Sequence, residues 1–348
     1  MRAITYTGAG GTEVLALRDV PTPEPGPGQV RVRVRAAGLN RADILQRRGS
    51  YPAPPGWPAD IPGLEYAGEV DAVGAGATRR RPGDRVMGLA GGGAHAEYIV
   101  VHDDETLPVP PGMSWVDAAA IPEAFLTALD ALTTRGRLER GEAVLIHAAG
   151  SGVGTAAVQL ARTMGATVIG SSRTPAKLDE LRPLGLEVGI DTSRIPFREQ
   201  VTVPVDVILD VLGGPAFRDN LALLAPRGRL VMLGHLQGSM TPEMNLELIL
   251  RRRLEIIGSV MRTRDHDERA RLAVKFMQRV LPLFGMPRDP RRSLARPESG
   301  EAAAARPKAD GEKLIYPVVH TAFPFTAAAA AHAAMERNEG VGKIVLCW

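Results

Sequence analysis

Hydrophobic positions recur along this chain with two different periods, and the change from one to the other marks how it is organised. The stretch QVRVRVRAAG (Gln29–Gly38) alternates valine with arginine at a period of two, as a strand with one solvated face does. LEYAGEVDAVG and HAEYIVV continue that texture between turn signals such as Arg81-Pro82-Gly83-Asp84 and Gly91-Gly92-Gly93. The first third therefore predicts an irregular β-rich domain. Near Asp117 the pattern changes. DAAAIPEAFLTALDALTT has helical composition and apolar spacing, with Pro122 placed to start or kink a helix.

From Ala143 onward, strands and helices alternate. AVLIHA precedes a helix through Arg162, and TVIGSS precedes one around Pro175–Leu181. VDVILDVLGG leads into AFRDNLALLA and then GRLVMLG, while LEIIGSV precedes a helix over Asp265–Leu283. Apolar, β-branched runs separated by helices imply a parallel sheet covered on both faces, a doubly wound α/β domain over roughly Pro122–Val260. Between Gly285 and Gly311 the chain is charged, rich in proline and alanine, and without aromatics. Such a composition predicts a flexible surface insertion that buries too little apolar area to order itself. LIYPVVH, an alanine-rich helix around Phe325–Arg337 and GKIVLCW then predict one more strand–helix–strand unit.

Composition narrows the picture. A chain of 348 residues exceeds one ordinary core, so two domains are expected. The 42 basic and 39 acidic residues leave a formal charge of +3, which does not suggest a nucleic-acid partner. Arg79-Arg80-Arg81 reads as a solvated turn. The single cysteine, Cys347, excludes an internal disulfide framework and a multi-cysteine zinc site. No apolar run approaches the ~20 residues of a membrane span and no signal-peptide pattern opens the chain, so a cytoplasmic location is expected.

The candidate chemistry starts at VLIHAAGSGVGTAAVQLARTMGATVIGSSR (Val144–Arg173). It reads as strand, glycine turn, helix and strand, yet Ala149 and Ser151 stand where G-x-G-x-x-G has its first two glycines. A tight turn without a ligand is the plain alternative. Gly152, Val153 and Gly154 nevertheless fall where a helix begins, so their amides and the positive helix end suit a pyrophosphate. Ser151 keeps a hydroxyl able to donate to phosphate, and Gly154 lets helix and strand pack closely. The next strand ends in Ser171-Ser172-Arg173, with Lys177 one helical turn further and no carboxylate for a ribose diol. That favours the 2′-phosphate of NADPH over NAD, the alternative being that both cations are ordinary exposed residues.

At this point the chain resembles the zinc-free, zeta-crystallin-like quinone oxidoreductase branch of the medium-chain dehydrogenase/reductase superfamily, near the subgroup of the tumour-suppressor-induced quinone oxidoreductase. The resemblance is carried by GLNRADILQRRGSYPAPPG (Gly38–Gly56), IPGLEYAGEV (Ile61–Val70), AAAIPEAFLTA (Ala118–Ala128), LIHAAGSGVGTAA (Leu145–Ala157) and GKIVL (Gly342–Leu346). It implies a GroES-like catalytic domain over 1–121 and 262–348, the latter holding the 285–311 insertion, and a Rossmann NADPH-binding domain over 122–261. Homodimerisation through the dinucleotide sheets is implied by the resemblance only. Where alcohol-dehydrogenase relatives carry zinc-binding cysteine and histidine, this chain has Asn40 and Leu64, neither a substitute for thiolate or imidazole.

The resemblance further implies that Asn40, Asp43 and Tyr51 line the cleft. Asn40 would donate to the acceptor oxygen, Tyr51 would donate its phenol or stack on the acceptor, and Asp43 would orient neighbours. Their plain alternatives are a turn former, a helix cap and loop packing. Thr127 is expected near the nicotinamide or its ribose, with a helix-interior back-bond as its alternative. Gly234, His235, Val260 and Arg262 are expected to border the cofactor. Lys343 matches a closing N-x-G-K motif whose asparagine is Gly340 here. The implied function is zinc-independent transfer of reducing equivalents from NADPH to a quinone. Reduction of activated C=C bonds, or NADPH binding without turnover as a redox sensor, are the alternatives.

Overall fold

The computed structural model describes residues 1–241, 244–285 and 315–348, so the predicted insertion lies almost wholly outside the described residues. The chain opens with a two-stranded antiparallel ribbon, β1 (Arg2–Tyr6) and β2 (Leu15–Asp19). Then come β3 (Gln29–Leu39), α1 (Arg41–Arg47), β4 (Glu65–Val73), β5 (Arg85–Leu89), β6 (Tyr98–His102) and β7 (Leu107–Pro108). The period-two reading of β3 holds: Val30, Val32 and Val34 are buried while the intervening arginines reach the surface. Each valine removed from water contributes about 1.5–3 kcal/mol.

At 11 residues β3 is long enough to serve two partners along one edge. Its first half pairs with β6, its second with the last strand of the chain, while β4 lines the opposite edge. Two short helices follow, α2 (Trp115–Ala119) and α3 (Pro122–Leu129), and Pro122 starts α3 rather than kinking it. A π-helical turn at Asp130–Arg135, not evident in the sequence, prolongs α3.

The second sheet contains β8 (Ala143–Ile146), β9 (Thr167–Ser172), β10 (Val188–Asp191), β11 (Val205–Asp210), β12 (Leu224–Met232) and β13 (Glu255–Gly258). The helices α4 (Gly152–Met164), α5 (Pro175–Leu181), α6 (Phe197–Gln200), α7 (Gly214–Leu223) and α8 (Leu246–Arg252) connect them. The strands run in the order β10-β9-β8-β11-β12-β13, every neighbour parallel, as the sequence pattern requires. Strand order reverses between β8 and β11, and crevices at such switch points hold ligands. After α9 (His266–Arg279), β14 (Val319–Pro324), α10 (Ala328–Glu336) and β15 (Lys343–Cys347) return to the first sheet, where β15 lies between β14 and β3.

Candidate active site

The glycine turn between β8 and α4 is bounded by Ala148, held at φ 48°, and by Ser151 at the helix start. Ser151 Oγ accepts from the Gly154 amide at 3.0 Å, so that amide is already engaged and does not await an anion. The amides left at the helix start are those of Gly152 and Val153, and the Ser151 hydroxyl keeps its own proton to donate. Gly154 behaves as expected, since a Cβ there would lie 2.5 Å from the Ala149 carbonyl oxygen. Gly152 does something the sequence did not suggest: a Cβ there would overlap the side chain of Lys343. The gap is filled by a lysine stem from the closing strand. Gly342 N–H donates to Gly150 O at 2.9 Å, laying the chain before β15 directly on the turn.

Lys343 is not a cofactor ligand through its ammonium. Its Nζ donates to Leu39 O at 2.8 Å and Asn40 Oδ1 at 2.5 Å, and stands 2.6 Å from Glu65 Oε1. Those three partners use all three of its protons. Asn40 is engaged at both ends, its Nδ2 donating to Glu65 Oε1 at 2.9 Å. Its other amide proton has a long contact to Gly38 O at 3.4 Å, so the expected donation to an acceptor would replace that contact. Glu65 Oε2 accepts from the Glu123 amide at 2.8 Å, so one buried carboxylate ties β15, β3 and the start of α3 together. Gly340, the departure from the closing motif, sits at φ 74° against the His320 ring. Asparagine also tolerates this φ, but a Cβ here would overlap His320 Nδ1, so glycine is the residue that fits beside that ring.

Asp43 is fully buried and takes its capping alternative, one oxygen accepting from Asn40 N–H at 2.8 Å and the other from Gly63 N–H at 3.0 Å. Tyr51 keeps its hydroxyl free among the described residues. Its ring stands 5.0 Å from the Arg262 guanidinium, and burial, then the nearby Glu123 charge, raise its pKa. Arg262, expected at the cofactor, instead donates to Gly91 O at 2.7 Å, Tyr51 O at 2.9 Å and Gln46 Oε1 at 2.6 Å. It is a buried tie between the chain after β13 and the loops of the first sheet. Val260 is half exposed, and its carbonyl accepts from Arg264 Nε at 3.2 Å. Gly234 and His235 follow β12 at the carboxyl edge of the parallel sheet. Thr127 makes no back-bond: its hydroxyl is buried without a partner among the described residues.

At the end of β9, cations gather. Lys177 Nζ donates to Asn338 O at 2.6 Å, and Arg41 donates to Asn338 Oδ1 at 2.6 Å, so side chains from α5 and α1 meet on one residue. Arg173 is exposed beside them. After burial, its charge is among the influences that lower the pKa of both Lys177 and Arg41. Ser172 Oγ closes the turn onto Thr174, accepting from its amide at 3.0 Å and donating to its carbonyl at 3.1 Å.

Two carboxylates and one cation of this site escaped sequence reading: Glu65, Glu123 and Arg41. Glu65 and Glu123 each interrupt an otherwise apolar run (IPGLEYAG and AAIPEAFLTA), and that was the available signal. Glu123 lines a small cavity with Leu64, Leu89, Gly91, Met261 and Arg262. Burial first, and the Glu65 charge second, push its pKa up to about 8.

Residues 152–279 match the zinc-binding dehydrogenase family, and residues 26–111 match the alcohol dehydrogenase GroES-like domain. A quinone oxidoreductase of Pseudomonas aeruginosa is 38% identical over 246 residues, covering 69% of this chain and 75% of that protein. The synaptic vesicle membrane protein VAT-1 homolog of Homo sapiens is 33% identical over 257 residues, covering 72% of this chain. The chain spans 65% of that relative's length. The quinone oxidoreductase of Pseudomonas syringae pv. Tomato DC3000 superposes with a TM-score of 0.83 at 27% identity, over 100% of this chain and 99% of that one. Among the described residues no helix is long and apolar enough to cross a membrane, and no group of three or more His, Cys, Asp or Glu is placed to hold a metal ion.

Proposed function

Because the chain belongs to the quinone oxidoreductase-like proteins of the medium-chain dehydrogenase/reductase superfamily, we propose that it is an NADPH-dependent, zinc-independent quinone reductase. The observation that carries the cofactor choice is the meeting of Lys177 and Arg41 on Asn338, with Arg173 alongside, at a β9 end that bears no carboxylate. A cluster of this kind suits the 2′-phosphate, although Glu180 lies near Lys177 and Glu336 near Arg41, and each charged hydrogen bond is worth about 1.5–3 kcal/mol. The Gly152 and Val153 amides and the Ser151 hydroxyl would hold the pyrophosphate. Thr127, Gly234 and His235 would border the nicotinamide end, the orphan Thr127 hydroxyl being the polar atom that still lacks a partner there.

When bound, the nicotinamide supplies a hydride. The protein orients it and excludes water. Leu64 and the fully engaged Asn40 offer no zinc ligands where alcohol-dehydrogenase relatives have them, which favours an acceptor that needs no strong Lewis acid. Quinones meet that condition. Tyr51, with its free phenol, would contact the acceptor.

The division at 121/122 and 261/262, a cytoplasmic location and a homodimer complete the reading. The dimer would form through β13, an edge strand that carries Ile256 (38% exposed) and follows α8 with its exposed Leu246 (62%) and Leu250 (76%). Calorimetry with NADPH and NADH, followed by parallel absorbance assays with a quinone and an alkenal, tests the function. Faster turnover of the alkenal would favour reduction of activated C=C bonds. Binding without turnover of either would favour the redox-sensor alternative.

A further inference from the structure

Glu123 is the second residue of α3, directly after Pro122. Its amide is fixed on Glu65 Oε2 at 2.8 Å, which holds the start of the helix and aims the side chain at the small cavity between the sheets. The cavity wall is apolar on one side, with Leu64, Leu89 and Met261, and carries Arg262 and Arg269 on the other. No hydrogen bond reaches the Glu123 carboxyl among the described residues. One helical turn further, on the same face of α3, lies Thr127 with its buried, unpartnered hydroxyl. Two polar groups spaced i, i+4 on α3 are thus without protein partners among the described residues, whereas Asp43 holds two backbone amides and Asn40 and Lys343 are tied to each other and to Glu65.

Resting on the reading of this site as an NADPH-dependent reductase, we propose that Glu123 is the catalytic acid that protonates the acceptor oxygen. The charged and titratable groups around it are Glu65 from β4, Lys343 from β15, Asp43 from α1, Arg262 after β13 and the Tyr51 phenol, with Arg269 of α9 on the same cavity. Lys343 and Arg262 favour the carboxylate, but Lys343 is paired with Glu65, and burial outweighs both cations. With a pKa near 8, the carboxyl carries its proton at neutral pH. In the reaction the acceptor gains a hydride, and the carboxyl O–H breaks as a new O–H forms on the acceptor. The carboxylate left behind faces Arg262 and regains a proton from water. One hydride and one proton convert a quinone to its hydroquinone, so no further reactant is required.

The test compares wild type with Glu123→Gln, Glu123→Asp and Tyr51→Phe. Wild-type kcat should be level at low pH and fall about ten-fold per unit above the midpoint near 8. Glu123→Gln should lose roughly 100-fold in kcat and lose that limb, while its NADPH dissociation constant stays near wild type. Glu123→Asp should recover part of the rate. A readout without turnover is the infrared carboxylic C=O band, expected in the wild-type apoprotein at neutral pH, lost on alkalinisation and missing from Glu123→Gln. An unchanged pH limb in Glu123→Gln overturns the proposal, as does no such band, and loss of the limb in Tyr51→Phe alone transfers the role to Tyr51. If wild type fails to oxidise NADPH with every quinone and alkenal offered, the reductase reading itself falls and the acid role with it, an outcome distinct from normal turnover with an unaltered limb.

Discussion

Lys343 Nζ and Glu65 Oε1 lie 2.6 Å apart, with both side chains almost fully withdrawn from water. The pair joins the closing strand β15 to β4 across β3, and Asn40 bridges its two members. Taking two charges out of water is costly, and the pair is sustained by the hydrogen bonds around it rather than by attraction alone.

Removing one member should therefore be worse than removing both. Lys343→Met leaves Glu65 buried without a counter-charge, with an expected loss of about 3–5 kcal/mol in urea unfolding. The double variant Lys343→Met, Glu65→Gln should recover a large part of that loss. Equal destabilisation by the single and double changes would show that the pair acts only through packing.

The cations at the end of β9 make a separate forecast. Arg173→Ala with Lys177→Ala should raise the Michaelis constant for NADPH at least ten-fold and leave that for NADH nearly unchanged, each lost charged bond being worth about 1.5–3 kcal/mol. Arg41→Ala should act in the same direction. Parallel kinetics with the two dinucleotides decide it, and equal effects on both would remove the 2′-phosphate from this place.

Beneath the same strands, His147 is buried with Nδ1 2.8 Å from Ser171 Oγ and Nε2 2.7 Å from Asn220 Oδ1, which places its proton on Nε2. Burial pushes its pKa down to about 4. The unfolded chain therefore binds this proton first, and the stabilising contribution, complete above the ordinary value of 6.5, disappears as pH falls toward 4. Asp210, raised to about 6 by burial, works in the opposite sense below that pH. Relative to wild type, His147→Gln should be least stable at neutral pH, and the difference in melting temperature should shrink through this window.

The open edge of the parallel sheet bears on assembly. Ile256→Lys sets a charge on β13, and sheet edges are kept single by charges of this kind. Sedimentation equilibrium should show wild type as a dimer and the variant shifted toward monomer. If wild type is a monomer at micromolar concentration, dimerisation through β13 is wrong.

Much of the architecture was legible because it is written in local periods. The valine–arginine alternation of β3 and the apolar runs of β8, β9, β11 and β12 follow from burial on one face or on two. The site was less legible, since its decisive contacts are distant in sequence. Asn40 looked free because Lys343 and Glu65, which engage it, stand far along the chain. That the space beside Gly152 is filled by the Lys343 stem depends on a strand about 190 residues further along the chain. Arg262 looked like a cofactor contact because its true partners, Gln46, Tyr51 and Gly91, belong to loops with no periodic signature.

The partnership of β3 with β15 also constrains how the protein is made. Lys343 reaches Leu39 across 304 positions, so a ribosome delivers the first sheet long before the strand that completes it. Until then Glu65 has no counter-ion, and part of one β3 edge is open to any other extended chain. Nascent forms released before β15 emerges should thus be the sticky ones, and a helper that shields exposed strand edges would matter more to yield than one that speeds helix formation.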